Sequence, residues 1–325
     1  MLHATTRAPC RIGWGEVQSA LLVPGVPEAF ISPFACHLDA EATRSNVAGL
    51  HEILVERGLA RPANLEEAEV VLCEWSRFAH LGDLRRDRRL AYRLNQVPNA
   101  TRELHRKERF AQLMRRRPHV LETYVESAPR KLKGLWVEKP FNVDRGKGIG
   151  FLRDPRGWRR PGYVLQRYLD TPWLVDGRKV EVRVVALIFD DGSARVHREG
   201  LVRCAHRPFR MDDLDPLIHN SNPLFQLRQG VERLEQHLLT DLVSDPAMLD
   251  AMTAFIEDTV EMLRRRRCFE DTQDFEMVGY DFILDQDGYP WALEANRFPG
   301  LHFGTPVADR FYLGVIEDLY SGLVA

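Results

Sequence analysis

The sequence lacks the features that mark zinc-ribbon, secreted and membrane-spanning proteins. It has only five cysteines, an odd number, and none of them forms a Cys-x-x-Cys pair. A zinc site is therefore not favoured, reduced buried thiols are the simplest interpretation, and a cysteine nucleophile is unsupported. No apolar run approaches the roughly 20 residues of a membrane-spanning helix, and residues 1–15 lack the basic-then-apolar order of a signal peptide. We expect a cytoplasmic protein with no membrane partner.

A strong net charge is also absent. The 45 basic and 47 acidic side chains leave a net charge of -2, which argues against a nucleic-acid partner. The charge is uneven, however, because residues 85–117 carry a local excess of nine positive charges. This basic stretch could bind an acidic polypeptide or the phosphates of a nucleotide, or it could be a solvated helix face.

The chain shows neither an internal repeat nor a low-complexity tract, and its 325 residues suffice for two or three packed units. Val47, Leu50 and Leu54 recur at helical spacing, and residues 69–75 form an apolar strand pattern. Turn residues near 98–99 and again near 170–172 suggest boundaries. We expect an α+β fold with three domains: an N-terminal α/β domain (1–102), a central domain (103–170) and a C-terminal domain (171–325).

Two hairpins are predicted in the last domain. Residues 277–285 and 289–296 flank Asp287-Gly288, a sequence typical of a type I′ turn. A two-residue loop there places Asp281 opposite Glu294, with Asn296 on the same face. The other face of this hairpin would then form a core surface of Tyr280, Phe282, Leu284, Trp291 and Leu293.

This arrangement of side chains suggests a metal site. Two directly opposed carboxylates repel each other, and a bound cation removes that penalty. Because all the candidate ligands are oxygens, Mg²⁺ is favoured, with Mn²⁺ as its alternative, over zinc. The other interpretations are a solvated polar face, or a register shifted by one residue.

Residues 144–150 contain three glycines between two predicted strands. Glycines allow backbone N–H groups to approach phosphate closely, although similar strings occur in ordinary hairpin turns. The Walker pattern G-x-x-x-x-G-K-[ST] is absent. Lys139, one of only six lysines, ends the strand that enters this loop, where it could reach phosphates or be a surface lysine beside Pro140.

Several segments, in order, resemble the signatures of the tubulin–tyrosine ligase-like family. They are WVEKP (136–140), RGKGI (145–149), QRYL (166–169), DGRKVEVR (176–183), REGLVR (198–203), HNSN (219–222), FEMVGYD (275–281) and WALEAN (291–296). Residues 95–98 and 106–108 also resemble the family, so the similarity is collinear from about residue 95 to 303.

The resemblance implies an ATP-grasp fold, in which central and C-terminal domains sandwich ATP. It also implies an ATP- and Mg²⁺-dependent ligase that joins an amino acid to a carboxylate through an acyl phosphate. The acceptor would be a protein or peptide, such as an acidic protein tail.

The resemblance assigns a role to each matching residue. Asp281, Glu294 and Asn296 would hold Mg²⁺, while Arg183, Arg203 and Glu181 would form the catalytic set. The nucleotide-binding residues would be Lys107, Lys139, Arg145, Gly146, Lys147, Gly148, Ile149, Gln166, Arg167, Leu169, Lys179, His219 and Asn222.

The position of Arg203 depends on the other hairpin, formed by residues 180–189 and 194–203. A three-residue loop ending at Ser193 places Arg203 opposite Glu181 on the face of Arg183, and a two-residue Asp191-Gly192 loop places it on the other face. The resemblance favours the three-residue loop.

This sequence departs from the family pattern at two places. Glu181 stands where the family has Asp, and Asn220-Ser221 replaces Leu-Thr. Two alternative functions therefore remain: a ligase of small metabolites and an inactive nucleotide-binding module.

Overall fold

The computed structural model describes residues 33–40, 46–143, 148–301 and 304–324. It confirms a mixed α+β fold, with three separate β-sheets among these residues. None of the described helices is both long enough and apolar enough to cross a bilayer.

The first sheet has four parallel strands in the order β2-β1-β3-β4. Parallel neighbours need a crossover, and the predicted amphipathic helix around Val47, Leu50 and Leu54 supplies it with all three side chains buried. The elements are β1 (Phe34–Leu38), α1 (Asn46–Glu56), β2 (Ala60–Pro62), β3 (Val70–Leu72), α2 (Phe78–Arg88) and β4 (Arg93–Leu94).

The second sheet is antiparallel, with the order β5-β8-β6-β7. Two short helices precede it, and Pro98 opens the first of them, where its missing N–H costs no hydrogen bond. The elements are α3 (Pro98–His105), α4 (Lys107–Leu113), β5 (Thr123–Ser127), β6 (Leu135–Pro140), β7 (Gly150–Arg153) and β8 (Arg159–Arg167).

The third sheet has seven strands along the path β13-β12-β10-β14-β15, with β9 and β11 also pairing with β10. Its strands are β9 (Leu174–Val175), β10 (Arg178–Phe189), β11 (Ala194–Val196), β12 (Leu201–Cys204), β13 (Gln236–Leu238), β14 (Phe275–Leu284) and β15 (Pro290–Arg297). The helices around it are α5 (Pro216–His219), α6 (Pro223–Arg228), α7 (Leu239–Leu242), α8 (Ala247–Arg265) and α9 (Pro306–Val324).

The long central strand β10 packs on both faces. Alternate residues such as Val182 and Val184 join one core with α8, the predicted helix of the last domain. On the other face, Val185 and Leu187 pack with α9 and the first sheet. Nearer its start, that second face carries the charged residues Lys179, Glu181 and Arg183 instead.

These cores cross the predicted domain boundaries. Leu104 of α3 and Phe110 of α4 are buried in the core of the third sheet, and the first sheet shares a core with α9. The strands of each sheet come from a single predicted range, but the division at residues 102 and 170 stays a prediction.

The hairpin of β14 and β15 agrees with the prediction at the site and differs near the turn. Asp281 pairs with Glu294, as predicted. The expected two-residue loop is wrong, because the Asp285 carboxylate accepts the backbone N–H groups of Asp287 and Tyr289 and so holds a wider turn. A β-bulge then restores the register before Asp281.

The bulge changes which β15 residues face the core. Phe282 pairs with Ala292, which leaves Leu293 as the extra residue. Ala292 is buried in the core, whereas Leu293 lines a cleft on the opposite side of the sheet. Trp291 pairs with Ile283, which also lines that cleft, so Trp291 too lies on the side away from the core. The predicted core positions of Trp291 and Leu293 are therefore wrong.

The hairpin of β10 also reaches the predicted pairing by an unpredicted route. Glu181 pairs with Arg203, but the loop comprises residues 190–192, since Phe189 N–H donates to Ser193 O. The second strand is broken at residues 197–200 into β11 and β12, which adds two residues and shifts the register. Within the break, a Cβ on Gly200 would lie 2.8 Å from Val182 Cγ1, so the close approach needs glycine.

A buried ion pair joins Arg85 of α2 to Asp274, which immediately precedes β14 of the third sheet. Its contribution to stability can be tested. Asp274 is 1% exposed and accepts both Arg85 Nη1 (2.6 Å) and Nη2 (3.0 Å). Asp274→Ala would strand the Arg85 cation, so we expect the free energy of unfolding to fall by about 3–5 kcal/mol. The control Glu66→Ala breaks the exposed pair with Arg88 and should cost less than about 1 kcal/mol. Urea unfolding measures both, and equal effects would contradict the assignment.

Candidate active site

A cleft of about 450 Å³ lies between the second and third sheets. Val137 of β6 and Gln166 of β8 contribute to one wall, and Lys179 and Glu181 of β10 contribute to the other. The remaining lining is mainly apolar and includes Leu121, Ile149, Phe151, Tyr168, Leu169, Phe225, Ile283 and Leu293. This large chamber is the size of an ordinary small-molecule site.

A smaller chamber of about 70 Å³ adjoins it and is far more polar. The two chambers share Lys139, Ile149, Glu181, Asn220 and Leu293. The charged side chains that only the small chamber adds are Lys107, Arg203, Asp281 and Glu294. The cavity therefore changes from an apolar to a charged lining along its length.

Asp281 lies at the centre of the charged wall, by which we mean the charged side chains that line the small chamber. Its carboxylate accepts Arg183 Nε (2.9 Å) and Nη2 (2.7 Å), Arg203 Nη2 (2.7 Å) and Asn296 Nδ2 (3.2 Å). Burial lowers the pKa of Arg183, but the charge of Asp281 and its hydrogen bonds raise that pKa well above its usual value. Arg183 is therefore a permanent cation within the sheet.

The predicted repulsion between Asp281 and Glu294 is relieved by protein cations. The two arginines neutralise Asp281, and Lys107 Nζ lies 3.6 Å from Glu294 Oε2. Asn296 Nδ2 donates to Glu294 Oε1 (3.0 Å) as well as to Asp281. The repulsion argument alone therefore does not require a metal ion.

Glu294 is held as a carboxylate at the rim of the small chamber. Burial raises the pKa of Glu294, but the charges of Lys107 and Lys139 and the hydrogen bond from Asn296 together lower it to about 2. Its side chain remains 30% exposed. The two carboxylates and the Asn296 amide share one face, and Glu294 is both accessible and ionised. With the amide turned so that its oxygen faces the carboxylates, the three side chains would offer the all-oxygen set that suits Mg²⁺.

Two lysines from different sheets face each other across the cleft. Lys139 Nζ donates to Gln166 Oε1 (2.8 Å), and Lys179 Nζ donates to His219 O (2.7 Å) while lying 3.5 Å from Glu181. Burial lowers the pKa of both ammonium groups, although the nearby glutamates oppose that change.

Glu181 links Lys179 to Arg203. Burial raises the pKa of Glu181, but Lys179 and Arg203 lower it by more, so the group stays ionised. Arg203 Nη2 lies 3.5 Å from Glu181, while Arg203 Nε is buried and has no hydrogen-bond partner within the described residues. A buried donor without a partner is costly, which suits a group that binds an anionic ligand.

His219 forms part of a buried relay that the sequence patterns missed. Its Nε2 lies 2.6 Å from Asp213 O and its Nδ1 lies 2.7 Å from Tyr168 Oη. Because a carbonyl only accepts, Nε2 carries the hydrogen and Nδ1 accepts from the tyrosine hydroxyl. Burial lowers the pKa of His219, so the imidazole is neutral. The two hydrogen bonds of the ring hold His219 in place, and its backbone carbonyl accepts the hydrogen bond from Lys179.

The structure brings most of the predicted site residues together. The large chamber contains Lys139, Gly148, Ile149, Gln166, Arg167, Leu169, Lys179, Glu181 and His219, and the small one adds Lys107, Arg203, Asn222, Asp281 and Glu294. Arg183 and Asn296 line neither chamber but both donate hydrogen bonds to Asp281. Arg145, Gly146 and Lys147 lie outside the described residues.

Two predicted residues have features that the motifs did not indicate. Arg167 is exposed, and the Asn222 side chain caps α6 by accepting Phe225 N–H (3.1 Å). Sequence reasoning also missed Tyr168, Ile283 and Leu293. Tyr168 lies within the QRYL motif, so only its role was missed, whereas Leu293 reaches the cleft because of the bulge.

The fold and cleft define an α+β protein whose cleft has an apolar chamber and a charged one. The family model described as the tubulin-tyrosine ligase family matches residues 80–324, and the chain belongs to that family.

Curated relatives agree with this assignment. A probable tubulin polyglutamylase, ttll-9 of Caenorhabditis elegans, is 28% identical over 51% of this chain and 46% of its own length. A probable alpha-tubulin polyglutamylase of Tetrahymena thermophila is 24% identical over 63% of this chain and 57% of its own length. The human tubulin monoglycylase TTLL3 is 24% identical over 57% of this chain and 28% of its own length. The chain spans about half the length of the first two of these relatives and 28% of the length of the third.

The buried imidazole predicts a pH dependence of stability. Because the pKa of His219 is lowered in the folded state, the unfolded chain takes up a proton first as the pH falls below about 6.5. Stability that is present above that pH is therefore lost below it. His219→Asn removes this loss, so we expect its unfolding midpoint to change less than that of the wild type between about pH 7.5 and 5.5.

Tyr168→Phe is the matched control, since it keeps the imidazole buried and should keep the pH dependence. Thermal unfolding across the pH range measures all three proteins. Identical pH profiles for the wild type and His219→Asn would contradict the assignment.

Proposed function

We propose that the protein is an ATP- and Mg²⁺-dependent carboxylate–amine ligase of the ATP-grasp type, which adds an amino acid to a protein carboxylate. The observation that carries this proposal is the two-chamber cleft, apolar at one end and lined by lysines, arginines and carboxylates at the other. The relatives named as polyglutamylases and a glycylase support the reaction class.

In this proposal the large chamber binds the adenosine part of ATP. Ile149, Ile283 and Leu293 offer apolar surface for the base, and the chain at residues 166–169 borders it. Lys139 and Lys107 lie at and beyond the junction of the chambers, where they would neutralise phosphate charge. The three domains would then be the preceding unit and the two that enclose the nucleotide.

Asp281, Glu294 and Asn296 would hold Mg²⁺ in the small chamber. When bound, the ion would supply charge neutralisation and polarisation of phosphoryl oxygens. Glu294 is the most available of these ligands, because Asp281 already accepts three donor groups.

The reaction needs positioning and charge neutralisation more than covalent chemistry from the protein. A substrate carboxylate oxygen attacks the γ-phosphorus, and the bond to ADP breaks, giving an acyl phosphate. The amine then attacks the acyl carbon, the C–O bond to phosphate breaks, and the amine loses a proton to solvent.

Localisation in the cytoplasm stays a prediction.

The arginines would divide the work. Arg203 Nε faces no described partner, so Arg203 would bind the acyl phosphate or the carboxylate of the incoming amino acid. Arg183 makes a bidentate contact to Asp281, so we propose that it acts as a positioning residue. Glu181 would orient Arg203 and Lys179.

The basic stretch 85–117 is less free to bind an acidic acceptor than its composition indicates. Several of its cations lie in ion pairs, including Arg85 with Asp274, Arg88 with Glu66 and Arg109 with Glu103. Arg115, Arg116 and Arg117 line a groove of about 590 Å³ beside β5, and of these three Arg117 also lies 3.8 Å from the Asp258 carboxylate. That groove is the best part of the stretch for an acidic polypeptide.

The charged wall is tested by removing one carboxylate charge. Glu294→Gln keeps the shape of the side chain, and we expect ADP release in the presence of amino acids and acceptors to fall at least ~100-fold. Asp287→Asn, an exposed change at the other end of the same hairpin, should leave the rate unchanged. Equal turnover by wild type and Glu294→Gln would refute this assignment.

The acceptor class is tested by product mass. With ATP, Mg²⁺ and an amino-acid mixture, we expect an acidic peptide to gain the mass of an amino acid minus water. A panel of small free acids is the comparison in the same mass-spectrometry experiment. Mass gain only on the free acids would replace the proposal by the small-molecule ligase, and ATP binding without any product would favour the inactive module.

A further inference from the structure

Three side chains capable of binding a metal converge on the face of the third sheet that is turned away from the cleft. They are Cys204 of β12, His237 of β13 and Glu235, which precedes β13. Their ligand atoms all lie within 4.8 Å of one another. They form the one such group of three or more His, Cys, Asp or Glu residues in the described part of the chain.

Strand pairing explains why the three side chains meet. Val202 pairs with His237, and Cys204 N–H donates to Glu235 O (3.0 Å). Residues two apart on a strand share a face, so Cys204 lies on the face of Val202, and Glu235 lies on the face of His237. Arg203 lies between Val202 and Cys204 in the sequence, so its side chain points to the opposite face, where it lines the cleft.

Ordinary structural roles explain two of the three residues. Cys204 is 2% exposed and can be a small core residue, and Glu235 forms an ion pair with Arg178. His237 has no such explanation. Its Nε2 atom is buried without a hydrogen-bond partner among the described residues and lies 3.6 Å from Glu235 Oε1. An unpartnered imidazole nitrogen beside a carboxylate and a thiol is the arrangement of a metal ligand.

We infer that Cys204, Glu235 and His237 form a binding site for a transition-metal cation of the Zn²⁺ class. Thiolate, imidazole and carboxylate are the ligand types of zinc, and a thiol excludes a preference for Mg²⁺. Bonds of about 2.0–2.3 Å in a tetrahedron put ligand atoms about 3.3–3.7 Å apart. The His237 to Glu235 distance already fits, so small side-chain rotations complete the set.

Binding at this site has a defined proton balance. Burial raises the pKa of the Cys204 thiol to about 12, so the thiol is protonated before the metal arrives. The S–H bond must break as the sulfur–metal bond forms, and the proton passes to the buffer. The metal also competes with Arg178 for Glu235, while Glu181, Lys179 and Arg203 lie on the opposite face of the sheet.

The site differs from the Mg²⁺ site in chemistry and position, so its test needs no ligase activity. The metal-free full chain is titrated with Co²⁺ in excess Mg²⁺ and followed by absorbance. We expect one equivalent to produce a thiolate-to-cobalt charge-transfer band, and one equivalent of Zn²⁺ to abolish it.

Variants assign the site. Cys204→Ser should abolish the band, and His237→Gln should weaken Co²⁺ binding at least ~10-fold with the far-ultraviolet circular dichroism unchanged. Cys268→Ser, at another buried cysteine, is the matched control and should keep the band. Absence of the band in the wild type, its survival in Cys204→Ser, or unweakened binding by His237→Gln would each overturn the inference.

Discussion

The site depends on the hydrogen-bonded ion pairs that two buried arginines form with Asp281. Arg183 comes from β10, Arg203 from β12 and Asp281 from β14, so one carboxylate joins three neighbouring strands. Removing ions from water costs several kcal/mol each, and only near-complete pairing offsets that cost. The pairing holds here because Asn296 adds a further donor from β15. The wall of the cleft is therefore built into the sheet.

The charge balance of that wall explains what the cleft suits. Five cations (Lys107, Lys139, Lys179, Arg183 and Arg203) meet three carboxylates (Glu181, Asp281 and Glu294) among the described side chains. The surplus is positive, and it lies at the end where the apolar lining stops. A ligand with an aromatic base and a polyanionic tail matches both ends, which is why the geometry supports a nucleotide. The departure of Glu181 from the family's Asp keeps this balance.

Sequence periodicity predicted the site better than it predicted the route to it. Alternation and turn residues predicted the pairing of Asp281 with Glu294, which is confirmed, but they did so through a two-residue loop that is wrong, and a bulge offsets that error. They missed the bulge at Leu293, which depends on how Asp285 hydrogen-bonds the turn. They also missed the cores shared between sheets and the approach of Cys204 to His237, because contacts between distant segments leave no local pattern.

We propose that the two chambers hold one ATP. A crystal structure with Mg²⁺ and a non-hydrolysable ATP analogue tests this proposal most directly. We expect the base beside Leu293 and Ile283, phosphates within hydrogen-bond distance of Lys139, and Mg²⁺ bound to Glu294. A nucleotide bound elsewhere, or phosphates pointing away from Lys107 and Glu294, would contradict it.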